Sequence, residues 1–434
     1  MKRRHLAIGC ICVACCIPTG NADAQTAALP NPAPSWLDPT PPDATELADE
    51  RASSSTDKKN PPVMTDSPTP SGGATTAAQT PGRFSAAHKW LSRFNGTRDG
   101  WTPRIGTVAS GSGVAFGSTW QQPVMNGAMR FTTDAMYSVR GYYTVELGAF
   151  ATPFGKRPIA VGGRVRQEGF PQEDFYGVGP NSDMGDRTSY MREGLDMSGY
   201  VTFAPRPWLT IETSAGFLDM QVRAGTDRSF PSIEQRFDAA RAPGLGADGD
   251  MVHAGVLIDA DRRDDDFFPR MGGRYIASVT AFHGLADFRD DFTRADIDLR
   301  KYFAVPGTTN HAIAIRGQFA FSGGAGDSNV PFYMLPRLGG SSTLRAYETS
   351  RFTDKNAMVF AAEYRYLMTP KLQLVSFLEG GQVAPRLSAF DFPTFKTSYG
   401  AGVRYQIKKS AVVRVDFARG QEGNRWIVGF SPGF

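Results

Sequence analysis

The sequence predicts an all-β fold: a closed antiparallel transmembrane β-barrel of about 16 strands. Three observations carry this. Residues 105–434 alternate apolar and polar residues in segments of about ten, the length a tilted strand needs to cross a bilayer. The N-terminus reads as a secretory leader, and it holds all four cysteines. The chain ends on an alternating aromatic segment.

The alternation is explicit. In "AMVFAAEYRYLM", residues 357–368, Met358, Phe360, Ala362, Tyr364, Tyr366 and Met368 share one face, opposite Glu363 and Arg365. In "TRADIDLRKYF", Ala295, Ile297, Leu299 and Phe303 oppose Arg294, Asp296, Asp298 and Arg300. "AIAIRGQFAF" and "AVVRVDFARG" set Ile313, Ile315 and Phe319 against Arg316 and Gln318, and Val413, Val415 and Phe417 against Arg414 and Asp416. A soluble half-exposed sheet has the same two-faced pattern. The number and length of the segments favour the barrel. About fifteen can be marked; barrels of this kind have even strand numbers, which places a further strand within residues 101–130. Closure is required, because an open edge in lipid leaves backbone N–H and C=O groups unpaired.

Residues 1–24, "MKRRHLAIGCICVACCIPTGNADA", have a basic start, an apolar stretch and Ala22 and Ala24 before the expected cleavage site, the pattern of a signal peptide. Cleavage there leaves a mature chain without cysteine, which needs no disulfide in an oxidising compartment. Residues 25–83 are rich in Pro, Ala, Ser and Thr and read as a disordered spacer. Residues 84–104 form a lead-in, with Phe84, Ala87, Leu91 and Phe94 at the spacing of a short periplasmic helix. The barrel follows over residues 105–434.

Connections alternate in length. "APRPW" and "VPGTTN" are short, as periplasmic turns are, and "MQVRAGTDRSFPSIEQRFDAARAPGLGADGD" is long, as extracellular loops are. The segment "LPRLGGSSTLRAYETSRF", residues 335–352, breaks the alternation with three arginines, a Gly-Gly pair and a Ser-Ser-Thr run. At the C-terminus, Trp426, Val428, Phe430 and Phe434 share a face and form the strand-like signal read by outer-membrane insertion machinery.

The segment "LGGSSTLRAYETSRFTDKNAMVFAAEYRY" resembles the BamA/TamA-type barrels of the bacterial surface antigen family, in a variant lacking POTRA domains. In that family a long extracellular loop folds into the lumen and carries a Val-Arg-Gly-Phe/Tyr motif. The matching residues are Leu344, Arg345, Ala346 and Tyr347, with Ala346 in place of glycine. Glu363 and Arg365 match the strand after that loop, and Phe377, Glu379 and Gly381 match a Phe-x-Asp/Glu-x-Gly strand motif. "DRRDDDFFPRMGG" is similar to the family's periplasmic turn through Asp261, Arg263, Asp264, Pro269 and Gly272. Alternation puts Glu379 with Gln373, opposite Leu372, Leu374 and Leu378, and so towards the lumen. The resemblance then implies that Arg345 meets Glu379 there, through the planar fork that suits a guanidinium to a carboxylate. It also implies a role in inserting, assembling or translocating protein or lipid at the outer membrane of a Gram-negative bacterium. The expected partners are outer-membrane lipid and, during biogenesis, the assembly machinery. A loop-plugged passive channel and a barrel enzyme acting on lipid are the alternatives.

Catalytic and cofactor signals fail. "GSGVAFG" lacks the helix and parallel-sheet context of a nucleotide loop, and "GGSST" lacks the spacing of a nucleophile elbow. His88, His253, His283 and His311 are scattered without metal-ligand spacing. The run Asp264 to Asp266 reads as a solvated turn rather than a calcium site. Beyond the leader the chain is nearly neutral, which gives a nucleic-acid partner no support. The expectation is a non-enzyme without metal or cofactor.

Overall fold

Period-two alternation becomes an antiparallel sheet that curls into a barrel. The structure is a computed structural model and describes residues 99–151, 158–247, 249–285, 290–324, 329–408 and 411–429. The expected signal peptide, the spacer, most of the lead-in, Phe430 and Phe434 lie outside the described residues. Strands β1 (Gly100–Gly106), β2 (Ala115–Val124), β3 (Met129–Ser138) and β4 (Tyr143–Ala151) are short. The longest follow: β5 (Ile159–Phe175), β6 (Thr188–Arg206) and β7 (Leu209–Ala224). Next come β8 (Met251–Asp261), β9 (Gly272–Gly284), β10 (Asp291–Ala304) and β11 (His311–Gly324). Two-residue strands β12 (Arg337–Leu338) and β13 (Phe352–Thr353) pair with each other inside the following loop. β14 (Asn356–Thr369), β15 (Leu372–Ala384), β16 (Lys396–Lys408), β17 (Ala411–Gly420) and β18 (Gly423–Gly429) complete the chain.

Sixteen strands form one sheet in sequence order, skipping only β12 and β13. The strand expected within residues 101–130 is supplied by β1 and β2, and the first strand starts at Gly100, five residues before the expected boundary at 105. Several strands exceed the expected ten, reaching 17 residues in β5 and 19 in β6. A register shift between Phe170 and Glu173 lets β5 run on past Pro171. Pairing runs unbroken from β1 to β18, but among the described residues no ladder joins β18 back to β1.

Burial follows the pleat. On β14, Ala357, Val359, Ala361, Glu363 and Arg365 are buried in the lumen, whereas Phe360 and Tyr364 are exposed outside. Apolar side chains outside and charged ones inside invert a soluble protein and match a lipid-facing wall. The loop 335–352 packs against the inner wall of the barrel. One apolar cluster joins Leu338, Leu344, Tyr347 and Phe352 of the loop to Val359 and Phe377 of the wall. A second packs Phe332, Met334 and Leu335 against Phe175, Leu218 and Ile233 near the long loops.

At the end of the barrel where the chain starts, β8 and β9 are joined by the "DRRDDDFFPRMGG" turn. The Arg263 guanidinium pairs with Asp261 at 2.9 Å. The Asp264 carboxylate accepts from the backbone N–H groups of Arg270 and Met271 at 2.9 and 3.0 Å, while Pro269 is buried beneath. Gly272 has φ +91° and a Cβ there would overlap the Arg262 carbonyl oxygen, so the position demands glycine. Asp264, Asp265 and Asp266 are exposed, and the first two cap backbone donors within the turn.

Candidate functional site

The loop between β11 and β14 turns into the barrel through two glycines. Gly339 has φ +114°, and a Cβ there would overlap the Glu348 carbonyl oxygen. Gly340 has φ +88°, and its Cβ would lie 2.7 Å from Ser110 Oγ. The Thr343 hydroxyl accepts from the Gly339 N–H at 2.9 Å, and the Gly340 N–H donates to the Tyr347 carbonyl at 3.1 Å. This compact turn presents Leu344, Arg345, Ala346 and Tyr347 to the wall, all buried.

Arg345 enters a cluster of charges on the luminal faces of four consecutive strands. Its Nε lies 2.7 Å from Glu379 Oε1, and its backbone N–H donates to Glu379 Oε2 at 2.8 Å. Nη2 lies 2.5 Å from Glu363 Oε1 and Nη1 lies 3.2 Å from Asp416 Oδ2. The guanidinium carbon sits 3.8 Å from the Phe377 ring centroid, so the ring covers one face of the cation. Burial alone would weaken Arg345 as a base; Glu379, Glu363 and Asp416 outweigh it and hold the pKa above the ordinary arginine value.

Glu363 is the hub. Its Oε1 also accepts from Arg404 Nη2 at 2.6 Å, and its Oε2 accepts from Arg365 Nε at 2.8 Å. Arg345, Arg365 and Arg404 thus stand against Glu363, Glu379 and Asp416, with Arg414 3.9 Å from Asp416. Charges this deep require such mutual compensation. Of the residues singled out in the sequence, the structure brings together Arg345, Glu363, Arg365, Phe377 and Glu379. Gly381 lies under the loop, where a Cβ would come 3.3 Å from Leu338. The turn residues Asp261 to Gly272 sit apart on the β8–β9 connection. Trp426 and Val428 face outward on β18, 73% and 62% exposed.

Arg404 was not singled out, and Asp416 was placed only on the polar face of its strand. Further ties were missed as well. Arg316 and Arg414 donate to the Ser342 and Ser341 carbonyls at 2.8 and 2.9 Å. Arg351 reaches Ser182 Oγ at 2.9 Å and Glu422 at 2.7 Å, and Arg337 reaches Glu173 at 3.0 Å. Arg425 bonds the Tyr347 carbonyl. The loop is therefore fastened to both sides of the barrel. The available signal was an arginine on the luminal faces of β11, β16 and β17, namely Arg316, Arg404 and Arg414; the loop atoms that Arg316 and Arg414 meet have no sequence signature.

Ala346, which stands where the family motif has glycine, has its own counterpart in the wall. A Cβ on Gly420 would lie 2.8 Å from the Ala346 Cβ, so the wall lacks a side chain where the loop carries one. Gly420→Ala is expected to lower stability by about 1–3 kcal/mol through overpacking. Adding Ala346→Gly should return part of that loss, because the Thr397 carbonyl oxygen and the Tyr347 ring still lie 3.1 and 3.2 Å from the new Cβ. The check is thermal unfolding of the single and double variants in detergent; a double variant no better than Gly420→Ala would refute the contact.

The arrangement contains no activated nucleophile: its carboxylates are taken up by arginines. Among the described residues no group of three or more His, Cys, Asp or Glu is placed to hold a metal. What it can do is fix a loop inside a barrel. Fold and site together define a transmembrane β-barrel with an internally anchored loop. The Omp85 superfamily domain matches residues 185–430, and the chain belongs to that superfamily, whose barrels reside in the outer membrane. BamA from Haemophilus ducreyi lacking POTRA domains 1-3 superposes with TM-score 0.58 and 15% identity, over 77% of this chain and 70% of that one. CdiB from Acinetobacter baumannii gives TM-score 0.48 and 11% identity, over 76% of this chain and 58% of that one. CdiB from Escherichia coli gives 0.46 and 12%, over 76% and 61%.

Proposed function

We propose that this protein inserts or translocates protein at the outer membrane through the seam between β1 and β18, with the loop 335–352 as a fixed internal prop. The seam is the observation that carries the reading. Among the described residues each edge strand runs for seven residues and forms a ladder with one neighbour only. In lipid an unpaired edge is costly, so the seam is where the wall opens most readily. An opened edge is also a template on which an incoming strand pairs its backbone. The buried loop supports the same reading, because it keeps the wall from β14 to β18 in shape while the seam moves.

The test has two arms. Vesicles containing the protein should take up and fold a denatured outer-membrane barrel faster than empty vesicles; equal rates overturn the reading. In planar bilayers the intact protein should be nearly silent and deletion of residues 335–352 should raise conductance. A steady, large conductance from the intact protein would instead make it a passive channel.

A further inference from the structure

We propose that the loop joining β15 to β16, residues 385–395, is an outer-leaflet anchor whose phenylalanines insert among lipid acyl chains on the outside of the barrel. The proposal rests on the barrel's place in its family and not on the seam. While the loop before β14 turns inward, this one folds back over the outer wall. Gln382 lies on the outer face of β15, in phase with Leu378, yet it is 6% exposed where Leu378 is 58% exposed. The cover is the loop itself: the Asp391 N–H donates to Gln382 Oε1 at 2.9 Å, and Gln382 Nε2 donates to Thr394 Oγ1 at 2.9 Å.

With the loop so tied, its rings lie along the wall. Phe392 and Phe395 stack at 4.9 Å between centroids, and each lies within 6.5 Å of the Phe360 ring on the outer face of β14. Phe319 meets Phe360 edge-on at 5.6 Å. Glycines flank Phe360 in the sheet, with Gly317 and Gly380 as its register partners. A Cβ on Gly380 would lie 3.8 Å from Phe395, so the flat wall there lets the ring settle against it. The aromatic row continues the lipid-facing surface without a break.

Two features choose lipid over water as the occupant. First, large apolar side chains stand free of the wall: Phe392 and Leu387 are 66% and 62% exposed, and Phe392 lies beside the lipid-facing Phe360 ring. Second, much of its irregular backbone is bonded within the loop, which lowers the cost of meeting lipid. The N–H groups of Ala389, Phe390, Thr394 and Phe395 donate to the carbonyls three residues earlier at 3.0 to 3.4 Å, and Pro385 and Pro393 have no N–H to satisfy. Arg386 is exposed beside Leu387, in position to meet headgroup phosphates. The anchor thereby holds β15, the strand that carries Glu379, at a set depth.

The test places a nitroxide at position 392 or 387, by Phe392→Cys or Leu387→Cys, in the full chain with Cys10, Cys12, Cys15 and Cys16 changed to serine. A third label at Ser229, exposed in the β7–β8 loop, reports the aqueous side. In phosphatidylcholine vesicles, collisions with oxygen should exceed those with a water-soluble nickel chelate at 392 and 387, with an oxygen-to-nickel ratio several-fold above that at 229. A nickel-dominated signal at both 392 and 387 overturns the proposal by placing the loop in water. Low collision rates with both reagents overturn it by showing a protein covering, and spin–spin broadening would then identify a second copy.

Discussion

Arg345→Ala is expected to destabilise the barrel by about 3–5 kcal/mol, because it removes the cation and leaves its carboxylates behind. Glu379, Glu363 and Asp416 all lie within 3.2 Å of the guanidinium and are buried. Glu379→Ala alone should cost less, since Arg345 keeps Glu363 and Asp416 and the loop stays in place. The double variant should lose less than the sum of the singles, by about 0.5–3 kcal/mol, as directly coupled groups do. Urea-induced unfolding from vesicles, followed by tryptophan fluorescence, measures all three, and simple additivity would show that the pair does not act as one. Arg345→Lys sharpens the test. An ammonium keeps the charge but cannot offer a planar fork to several carboxylates at once, so it should recover only part of the loss. Conductance is the second readout: once released, the loop should no longer fill the lumen.

Which face of each strand is luminal was legible, because alternation depends only on the pleat. Glu379 and Glu363 are buried in the lumen as their positions in the pattern require. Who meets whom across strands was not legible, because it depends on register. Register pairs Ala361 with Glu379 and Asp416 with Gly402, and it shifts at Leu367/Thr369 and at Gln406/Lys408, where hydrophobic pattern carries no mark. That is why Glu379 could be matched to Arg345 through family resemblance, while Arg404 and Asp416 could not. Strand length was misread for a related reason. β5 continues through "FPQEDF", where Pro171 and the register shift hide the alternation although the backbone still pairs. The loop over residues 385–395 shows the same limit. Its phenylalanines are plain in the sequence, but the choice between lumen and outer wall is made by Gln382, one polar residue on an apolar face.

Glu363→Gln should lower stability at least as much as Arg345→Ala, by about 3–5 kcal/mol or more, and by a different route. Glu363 binds Arg345 and Arg404 through one oxygen and Arg365 through the other, and both of those arginines besides Arg345 belong to the wall. The glutamine keeps the shape but deletes the charge, and its amide nitrogen presents hydrogens to a guanidinium that also donates. Four cations, counting Arg414, then face the two remaining carboxylates, Glu379 and Asp416, among buried side chains. The loop, however, retains two of the three carboxylates that hold Arg345. Glu363→Gln should therefore lower the unfolding temperature most while raising conductance little, whereas Arg345→Ala should raise conductance most. Removing one surplus cation, as in Glu363→Gln with Arg404→Gln, should recover part of the lost stability because the excess of positive charge in the cluster falls by one. A neutral Glu363→Gln variant, with the wild-type unfolding curve, would mean that the wall arginines do not depend on this carboxylate. The cluster would then be a set of independent pairs rather than a unit joining loop and wall.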